Sequence, residues 1–450
     1  MCSLGCQVRL LTKNGRVIGS LPDHQAGAES LCVKGRFGFP ELLNHPTRLT
    51  HPQKAVEGNR RLNITWEEII RLAAEKLSTT APQGGFEMLV SPNCSLESLY
   101  VAQKFTRQGM KSNAIHTNHI NGYAQDKGAL FDLARQSQPL SILASAATIL
   151  CLGLDDKYSQ SVVEVMLHRS KGNGARIIAA LCSSDSVAPF ADLWLKPAAE
   201  NEAGLVLEQA ARVLHNSTPG SPVILVGPGI FSQPDRRALL PAIVALVQAS
   251  QARVIVIPDQ ASLLDLLLDI PGRDNQLPPT QTQVLYLIGE NIAELPSTEK
   301  PFILYQNIYP PADGLEPDLI LPTTPFSEED GSLIDYAGRV RNLRRSVPPP
   351  GLALPAWEIL CRIAQKMGLP GFDFSSVLEI QAEMANLPGN FLANGQVDWA
   401  AVSAPAMDEP VRQSPDLPQP APDTYLGFPL THSVQGLNQL YPEKGRQKHG

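Results

Sequence analysis

Residues 222–231, PVILVGPGIF, carry the pattern that decides the fold: a short run of consecutive apolar residues leads into a glycine-containing turn. Strands covered by helices on both faces have this near-continuous apolar character. Six further runs share it: ATILCLGL (147–154), ARIIAAL (175–181), ARVIVIPD (252–259), QVLYLIGE (283–290), PFILYQN (301–307) and DLILPTT (318–324). We therefore predict a doubly wound α/β fold built on mostly parallel sheets.

Helical patterns lie between or beside several of these strands. Residues 64–82, ITWEEIIRLAAEKLSTTAP, offer Thr65 as an N-cap, acidic residues in the first turn and apolar residues at helical spacing. Comparable patterns occur at SLESLYVAQKFTRQGM (95–110), YSQSVVEVMLHRSK (158–171), PDRRALLPAIVALVQAS (234–250) and PAWEILCRIAQKMG (355–368). This alternation predicts two α/β domains.

The composition limits the classes of function. The chain has 450 residues, 43% of them hydrophobic and 18% charged, with a formal net charge of -7. A net negative chain without extended basic clusters argues against a nucleic-acid partner. No apolar stretch approaches the roughly 20 residues of a membrane span. We expect a cytoplasmic protein that could reach the cytoplasmic face of a membrane only through its partners.

Three of the seven cysteines lie in the first 38 residues: Cys2, Cys6 and Cys32. Between them, residues 7–23 form two β-type runs joined at Asn14-Gly15, a strong signal for a type I′ hairpin that would bring the thiols together. The start shows no secretory signal, so we expect reduced thiols and favour a metal site over disulfides. Incidental cysteines in a small lobe remain the alternative.

The run LCVKGRFG (31–38), followed by HPTRLTHP (45–52) and ITWEEII (64–70), resembles the N-terminal lobe of the molybdopterin oxidoreductase family. That family includes formate dehydrogenases and the large iron-sulfur subunit of NADH-quinone oxidoreductase. The resemblance continues through SPNCSLESLYVAQKFTR, ILCLGLDD, KGNGARII, VLYLIGENIAELP and the stretch from 315 to 368, and covers roughly residues 1 to 370.

The resemblance implies an iron-sulfur site. The family's Cys-x2-Cys-x3-Cys and Cys-x-Lys-Gly-Arg motifs match at Cys2, Cys6 and Cys32, and the first ligand of the motif would precede Met1. The implied cofactor is a [4Fe-4S] cluster, or a [3Fe-4S] cluster if the fourth ligand is missing. Lys34 matches a family lysine between the cluster and a pterin, where its charge would raise the cluster's reduction potential. A lysine on a solvated loop is the alternative.

Several departures from the family pattern point away from a molybdenum or tungsten centre. The segment NAIHTNHINGYAQDKGALFDL (113–133) has no cysteine where formate dehydrogenases carry the metal ligand. His116 and His119 could replace that cysteine as metal ligands, although two histidines in a polar loop more often bind no metal. The family's Asn-Thr-Glu-Gly-Arg segment reads DYAGR at 335–339, where Asp335 would repel a pyrophosphate. Molybdopterin guanine dinucleotide is therefore a cofactor that the family implies and these residues disfavour.

Other candidate residues have structural explanations. Gly153 and the Gly227-Pro228-Gly229 turn follow strands and could admit phosphates at helix N-termini, but tight turns explain such glycines equally well. Four further cysteines lie in apolar contexts and are predicted to be core residues: Cys94, Cys151, Cys182 and Cys361.

The expected architecture is a small N-terminal iron-sulfur β lobe followed by two doubly wound, mostly parallel α/β domains, with the family's C-terminal β-barrel absent. We place the lobe at 1–54, one α/β domain at 55–138 and 265–385, the other at 139–264, and a proline-rich tail at 386–450. The expected function is electron transfer within a multi-subunit oxidoreductase, together with other subunits of a redox complex, in the manner of the large iron-sulfur subunit of NADH-quinone oxidoreductase. The alternatives are a catalytic molybdenum or tungsten enzyme of the formate dehydrogenase kind, with its missing parts on neighbouring chains, and a cofactor-free assembly scaffold.

Overall fold

The computed structural model describes residues 3–24, 30–57, 60–81, 85–117, 127–154, 161–182, 187–196, 203–215, 222–233, 236–257, 282–292, 300–386, 395–398, 424–426, 428–429 and 434. Two predominantly parallel sheets dominate these residues, and each of the seven predicted apolar runs forms a strand of one of them. The predicted doubly wound α/β class is thereby confirmed. The residue limits of the domains stay a prediction.

The smaller sheet has five strands, all parallel. In spatial order they are β11 (Arg253–Val256), β10 (Val223–Val226), β7 (Thr148–Leu152), β8 (Arg176–Ala180) and β9 (Leu193–Leu195). The helices that connect them are α5 (Ser161–Gly172), α6 (Ala203–His215) and α7 (Arg236–Ser250). The strand order changes direction between β7 and β10, as in doubly wound folds.

Within the described ranges, the larger sheet has seven strands, five of them parallel. In spatial order they are β4 (Arg60–Asn63), β3 (Gln53–Val56), β14 (Leu319–Pro322), β13 (Phe302–Asn307), β12 (Val284–Ile288), β5 (Phe86–Val90) and β6 (Ile115–His116). The edge strands β3 and β4 run antiparallel and were not expected from the sequence. The chain contributes strands to this sheet in two stretches, at 53–116 before the smaller sheet and at 284–322 after it.

Helices from distant parts of the chain pack together beside the larger sheet. They are α2 (Trp66–Thr80), α3 (Leu96–Lys104), α8 (Ala356–Lys366) and α9 (Val377–Met384). Helix α2 begins as predicted, because the Thr65 hydroxyl accepts a hydrogen bond from the Glu68 amide at 3.2 Å. Helix α9, which the sequence pattern did not predict, continues the helical packing beyond α8.

The remaining elements are short. A hairpin of β1 (Val8–Lys13) and β2 (Arg16–Pro22) turns at Asn14 and Gly15, whose φ angles of 52° and 73° confirm the predicted turn. The others are α1 (Phe39–Leu43), α4 (Lys127–Gln136), the hairpin β15 (Gly331–Ile334) and β16 (Val340–Leu343), and the pair β17 (Thr424–Tyr425) and β18 (Phe428–Pro429). Within the described ranges, every helix is too short or too polar to cross a bilayer.

Candidate functional site

The first hairpin holds the Cys32 segment against the start of the chain. The Ser20 hydroxyl, on β2, donates hydrogen bonds to the carbonyl oxygens of Gly35 and, at 3.0 Å, of Arg36. The Arg36 guanidinium donates in return to the Ser20 carbonyl. Cys6 lies just before β1, which pairs with β2 along its whole length. The hairpin therefore connects the regions of Cys6 and Cys32 through a single hydrogen-bonded unit.

Cys32 lies at the start of a helical segment, and its sulfur accepts a hydrogen bond. The Arg36 amide donates to the Cys32 carbonyl at 2.9 Å, and the Gly35 amide donates to the Cys32 sulfur at 3.4 Å. A π-helical turn over Lys34–Gly38 then leads into α1. Backbone amides that donate to cysteine sulfurs are part of how proteins set the potential of iron-sulfur clusters. The Cys32 environment therefore fits a cluster ligand.

Lys34, two residues after Cys32, is buried with only 5% of its surface exposed. Lysine is almost never this buried unless negative charge or other polar groups balance it. The structure thus excludes the alternative of a lysine on a solvated loop. Its burial next to the Cys32 segment is the arrangement expected if it acts electrostatically on an anionic group there.

The other predicted ligands are less completely placed. Cys6 is exposed and Cys32 is partly exposed, whereas Cys2 lies outside the described residues. Among the residues that the structure describes, no three histidine, cysteine or carboxylate side chains gather closely enough to hold a metal ion. The three-cysteine site stays a prediction, supported at Cys32 by its hydrogen bond and at Cys6 by the surroundings described next.

The loop that carries Cys6 docks on the turn after β15. The Tyr336 amide donates to the Ser3 carbonyl at 2.9 Å, and Gly5, with φ of 62°, lies directly against Asp335. Asp335 is almost fully buried. One of its carboxylate oxygens accepts hydrogen bonds from the amides of Ala337 and Arg339, at 2.9 and 3.0 Å. Asp335 therefore fixes the shape of the turn on which the cysteine loop rests.

The second Asp335 oxygen is held by two guanidinium groups. It lies 2.9 Å from Arg339 and 2.9 Å from Arg341. Both arginines also line a cavity of about 160 Å³ that Cys6 borders, together with residues of the 139–141 turn and α5. Since one carboxylate faces two guanidinium groups, the surroundings of Cys6 keep an excess positive charge, which favours an anionic cluster.

The glycines that could have bound phosphate instead pack against each other in the smaller sheet. A β-carbon on Gly227 would lie 2.5 Å from the Gly153 carbonyl oxygen, and one on Gly153 would lie 2.5 Å from the Ile230 amide nitrogen. The Gly229 amide donates to the Gly153 carbonyl at 2.8 Å. The two turns thus need glycine for close contact, which supports the tight-turn interpretation.

Buried carboxyl groups lie beside the carboxyl edge of the larger sheet. Glu329 accepts a hydrogen bond from the Thr324 hydroxyl at 2.9 Å, and burial raises its pKa to about 8. Glu97 accepts from the amide and hydroxyl of Ser332, at 2.9 and 2.6 Å, and from the Gln381 amide at 2.7 Å. Burial raises the pKa of Glu97 as well. At neutral pH the Glu329 carboxyl is therefore mostly protonated.

Glu328, next to Glu329, forms a buried bidentate ion pair. Its two oxygens lie 3.0 and 2.8 Å from the two terminal nitrogens of Arg48, which also donates to the Leu43 carbonyl at 2.8 Å. Burial raises the pKa of Glu328, and Arg48 opposes that effect. These acids were not predicted as site residues, because SEED (327–330) has the composition of a solvated charged turn.

Among the described residues, the remaining cysteines and histidines do not gather into a metal site. Cys94, Cys151, Cys182 and Cys361 are buried, as predicted for core residues. Burial raises the pKa of the Cys94 thiol well above its usual value. His116 ends β6, and His119 lies outside the described residues. Whether His119 is a simple loop residue or a substitute metal ligand therefore stays a matter of prediction.

Two protein-family models match the chain. The one described as Molybdopterin oxidoreductase matches residues 48–366, which is more than half of the chain. The one described as Molybdopterin oxidoreductase Fe4S4 domain matches residues 1–44, and so includes all three predicted cysteine ligands and Lys34. The two matches cover both the lobe and the sheets described above.

Individual relatives are distant. The F420-dependent formate dehydrogenase subunit alpha of Methanocaldococcus jannaschii is 22% identical, over 85% of this chain and 72% of its own length. The mitochondrial NADH-ubiquinone oxidoreductase 78 kDa subunit of Neurospora crassa is 23% identical, over 85% of this chain and 53% of its own. The structure of acetylene hydratase from Pelobacter acetylenicus superposes with a TM-score of 0.56 at 13% identity, covering 84% of this chain and 70% of that one. That superposition supports the shared fold.

Proposed function

Because the chain belongs to the molybdopterin oxidoreductase family, we propose that it is an iron-sulfur electron-transfer subunit of a multi-subunit oxidoreductase, similar to the large iron-sulfur subunit of NADH-quinone oxidoreductase. The observation that carries the proposal is the Cys32 segment, where a backbone amide donates to the sulfur and a lysine is buried two residues away. A buried cation and an N–H···S hydrogen bond both stabilise added negative charge. That is the requirement of a one-electron relay.

In this proposal Cys2, Cys6 and Cys32 hold the cluster, with a fourth ligand not assigned. When bound, the cluster supplies a one-electron redox centre. Lys34 supplies a fixed positive charge, and the Gly35 amide donates to the Cys32 sulfur at 3.4 Å. The first hairpin connects the Cys6 region to the Cys32 region. Arg339 and Arg341 add positive charge on the Cys6 side. Partner subunits would donate and accept the electrons.

Two other functions remain as alternatives. A catalytic molybdenum or tungsten enzyme is favoured by the relatives named formate dehydrogenase, but residues 113–133 lack the cysteine that would ligate the metal. A cofactor-free scaffold would keep the α/β core for protein contacts alone.

The test is metal analysis of the anaerobically purified chain, together with the variants Cys32→Ser and Cys361→Ala. We expect about three to four iron atoms per chain, no stoichiometric molybdenum or tungsten, and a reduced-state paramagnetic signal. Cys32→Ser should lose most of the iron, whereas Cys361→Ala, which removes a thiol from α8, should keep it. Stoichiometric molybdenum or tungsten would establish the enzyme instead. Absence of iron from chain isolated with its partners would favour the scaffold.

A further inference from the structure

The parallel strands of the larger sheet end opposite the cysteine-bearing lobe. The Tyr309 hydroxyl, just after β13, donates to the Leu42 carbonyl of α1. The rings of Phe39, on α1, and Phe326, after β14, meet edge to face at 5.1 Å. In open α/β sheets, ligands bind in the crevice outside the carboxyl ends of the strands. This carboxyl-end crevice, between α1 and β12–β14, is thus where a cofactor of this fold would be sought.

A late part of the chain fills that crevice. We define the plug segment by its described residues 424–426, 428–429 and 434. It forms the short pair β17 and β18, and Leu426 makes the turn between them with φ of 49°. The side chains of Tyr425, Leu426, Phe428 and Val434 are 2 to 6% exposed and belong to the main hydrophobic core. The plug segment is therefore buried as deeply as the strands it covers.

Polar contacts fix the backbone of the plug segment to the strand ends. The Asn307 side-chain amide, at the end of β13, donates to the Leu426 carbonyl at 3.1 Å. The Tyr425 hydroxyl accepts a hydrogen bond from the Phe326 amide at 3.3 Å. These contacts satisfy groups at the sheet edge that a bound ligand would otherwise engage.

Apolar contacts fill the remaining space. A β-carbon on Gly289, just after β12, would lie 2.8 Å from a Leu426 methyl group and 3.5 Å from the Cys94 sulfur. The Phe428 ring packs edge to face on Tyr309 at 5.3 Å. On the lobe side, a β-carbon on Gly38 would lie 3.9 Å from a Val434 methyl group. Leu426 therefore covers Gly289, which lies beside Cys94, and Val434 lies next to Gly38 of the lobe.

The polar groups around the crevice also disfavour an anionic dinucleotide. Both terminal nitrogens of Arg48 bind Glu328, and the Glu329 carboxyl, which is mostly protonated at neutral pH, lies near the Tyr425 phenol. A pyrophosphate needs free cationic or amide donors, whereas this edge presents buried carboxyls and a phenol. The residues present do not fit the pterin dinucleotide that the family implies.

We propose that the plug segment is a built-in occupant of the carboxyl-end crevice and that it excludes a pterin guanine dinucleotide from this sheet. The inference is independent of the iron-sulfur proposal, because the packing of the plug segment on the strand ends does not depend on whether the lobe binds iron.

The first test uses the unmodified full chain. Hydrogen-deuterium exchange followed by mass spectrometry measures the amide exchange rate of a peptide spanning 424–434. This rate is compared with the intrinsic exchange rate of the same sequence. Tertiary packing around Leu426 should slow its exchange at least tenfold. If the exchange is slowed less than tenfold relative to the intrinsic rate, the proposal is overturned. A segment that leaves the crevice this often could not exclude a dinucleotide.

The second test uses the Cys94 thiol as a reporter. The double variant Leu426→Ala and Phe428→Ala should increase maleimide labelling of Cys94 at least fivefold, while labelling of Cys361 stays unchanged. The matched control is Leu378→Ala, which truncates a leucine that is 71% exposed on α9 and should leave both rates unchanged. Unchanged Cys94 labelling in the double variant would contradict the proposal. If Cys361 labelling also rises, the variant has unfolded and the exchange measurement on the unmodified chain decides.

Discussion

Gly5 and Asp335 are in such close contact that a β-carbon on residue 5 would lie 2.6 Å from the Asp335 β-carbon. Gly5 also has a positive φ of 62°, which side chains with a β-carbon adopt only with strain. The loop that carries Cys6 and the turn that carries Arg339 and Arg341 are therefore fitted to each other at this glycine. Any change here acts on the predicted cluster site through its supporting contacts.

Gly5→Ala should destabilise the protein by about 2 kcal/mol, since the clash with Asp335 adds to the backbone strain. It should also lower the iron content, because the Cys6 loop must move. Chemical denaturation measures the first effect and iron analysis the second. Gly172→Ala is the matched control: a β-carbon at that position would have no atom within 4 Å, so both quantities should stay near wild type. Equal behaviour of the two variants would argue against the close fit.

Asp335→Asn should cost about 2 kcal/mol of stability. Removing one member of a buried ion pair typically costs about 3–5 kcal/mol, and we lower that figure because Arg339 and Arg341 are partly exposed and solvent screens them. Glu316→Gln, which breaks an exposed pair with Lys300, should leave the stability close to that of the wild type, because solvent screens exposed ion pairs. Urea denaturation at pH 7 compares them. A small effect of Asp335→Asn would mean that the backbone amides alone hold the turn.

Glu329 should make stability fall as pH rises. Burial raises the pKa of this carboxyl from 4.5 to about 8. Between these values the folded protein keeps the proton that the unfolded chain has lost. The stability that Glu329 contributes is therefore fully present below about pH 4.5 and is lost as the pH rises to about 8.

Glu329→Gln should remove that dependence. From pH 5.5 to 7.5, the free energy of unfolding of the wild type should decline relative to the variant by up to about 1.4 kcal/mol per pH unit. Denaturation curves at several pH values measure the difference. Parallel pH profiles for the two proteins would show that Glu329 is ionised in the folded state.

Lys34→Gln should lower the midpoint potential of the proposed cluster. A unit charge about 10 Å away, at an effective dielectric constant of about 20, contributes about 1.7 kcal/mol, or about 70 mV per electron. Redox titration followed by the cluster signal measures the shift. Lys54→Gln, which removes a lysine whose charge is already paired with Glu68 at 2.6 Å, should move the potential by far less. An unchanged potential in Lys34→Gln would remove this lysine from the electron-transfer proposal.

Local sequence patterns were sufficient to predict much of the architecture. The apolar runs predicted the parallel strands, Asn14-Gly15 predicted the hairpin, and Thr65 predicted the start of α2, because each signal depends on neighbouring residues. The edge strands β3 and β4 and the short helix α9 were missed, since their pairing and packing depend on distant elements. The domain limits and the three-cysteine ligand set remain predictions.

Burial of polar residues was the least predictable part of the site. Lys34 and Glu329 belong to segments whose composition suits the surface, and only the tertiary fold encloses them. The proline-rich stretch of the predicted tail likewise contains TYLGFP (424–429), whose aromatic residues lie in the core. An apolar cluster inside a proline-rich stretch was the available signal that this segment is buried. The surface that the cluster covers could be identified only from the folded sheet.

The contacts of Gly5 with Asp335 and of Gly38 with Val434 have a consequence for synthesis on the ribosome. The cysteine-bearing residues emerge from the ribosome several hundred residues before the residues that pack against them. Closing loops of this length is slow and entropically costly. The nascent Cys6 loop and Cys32 segment consequently remain without these contacts, with their thiols accessible, until the residues near 335 and 434 have been translated.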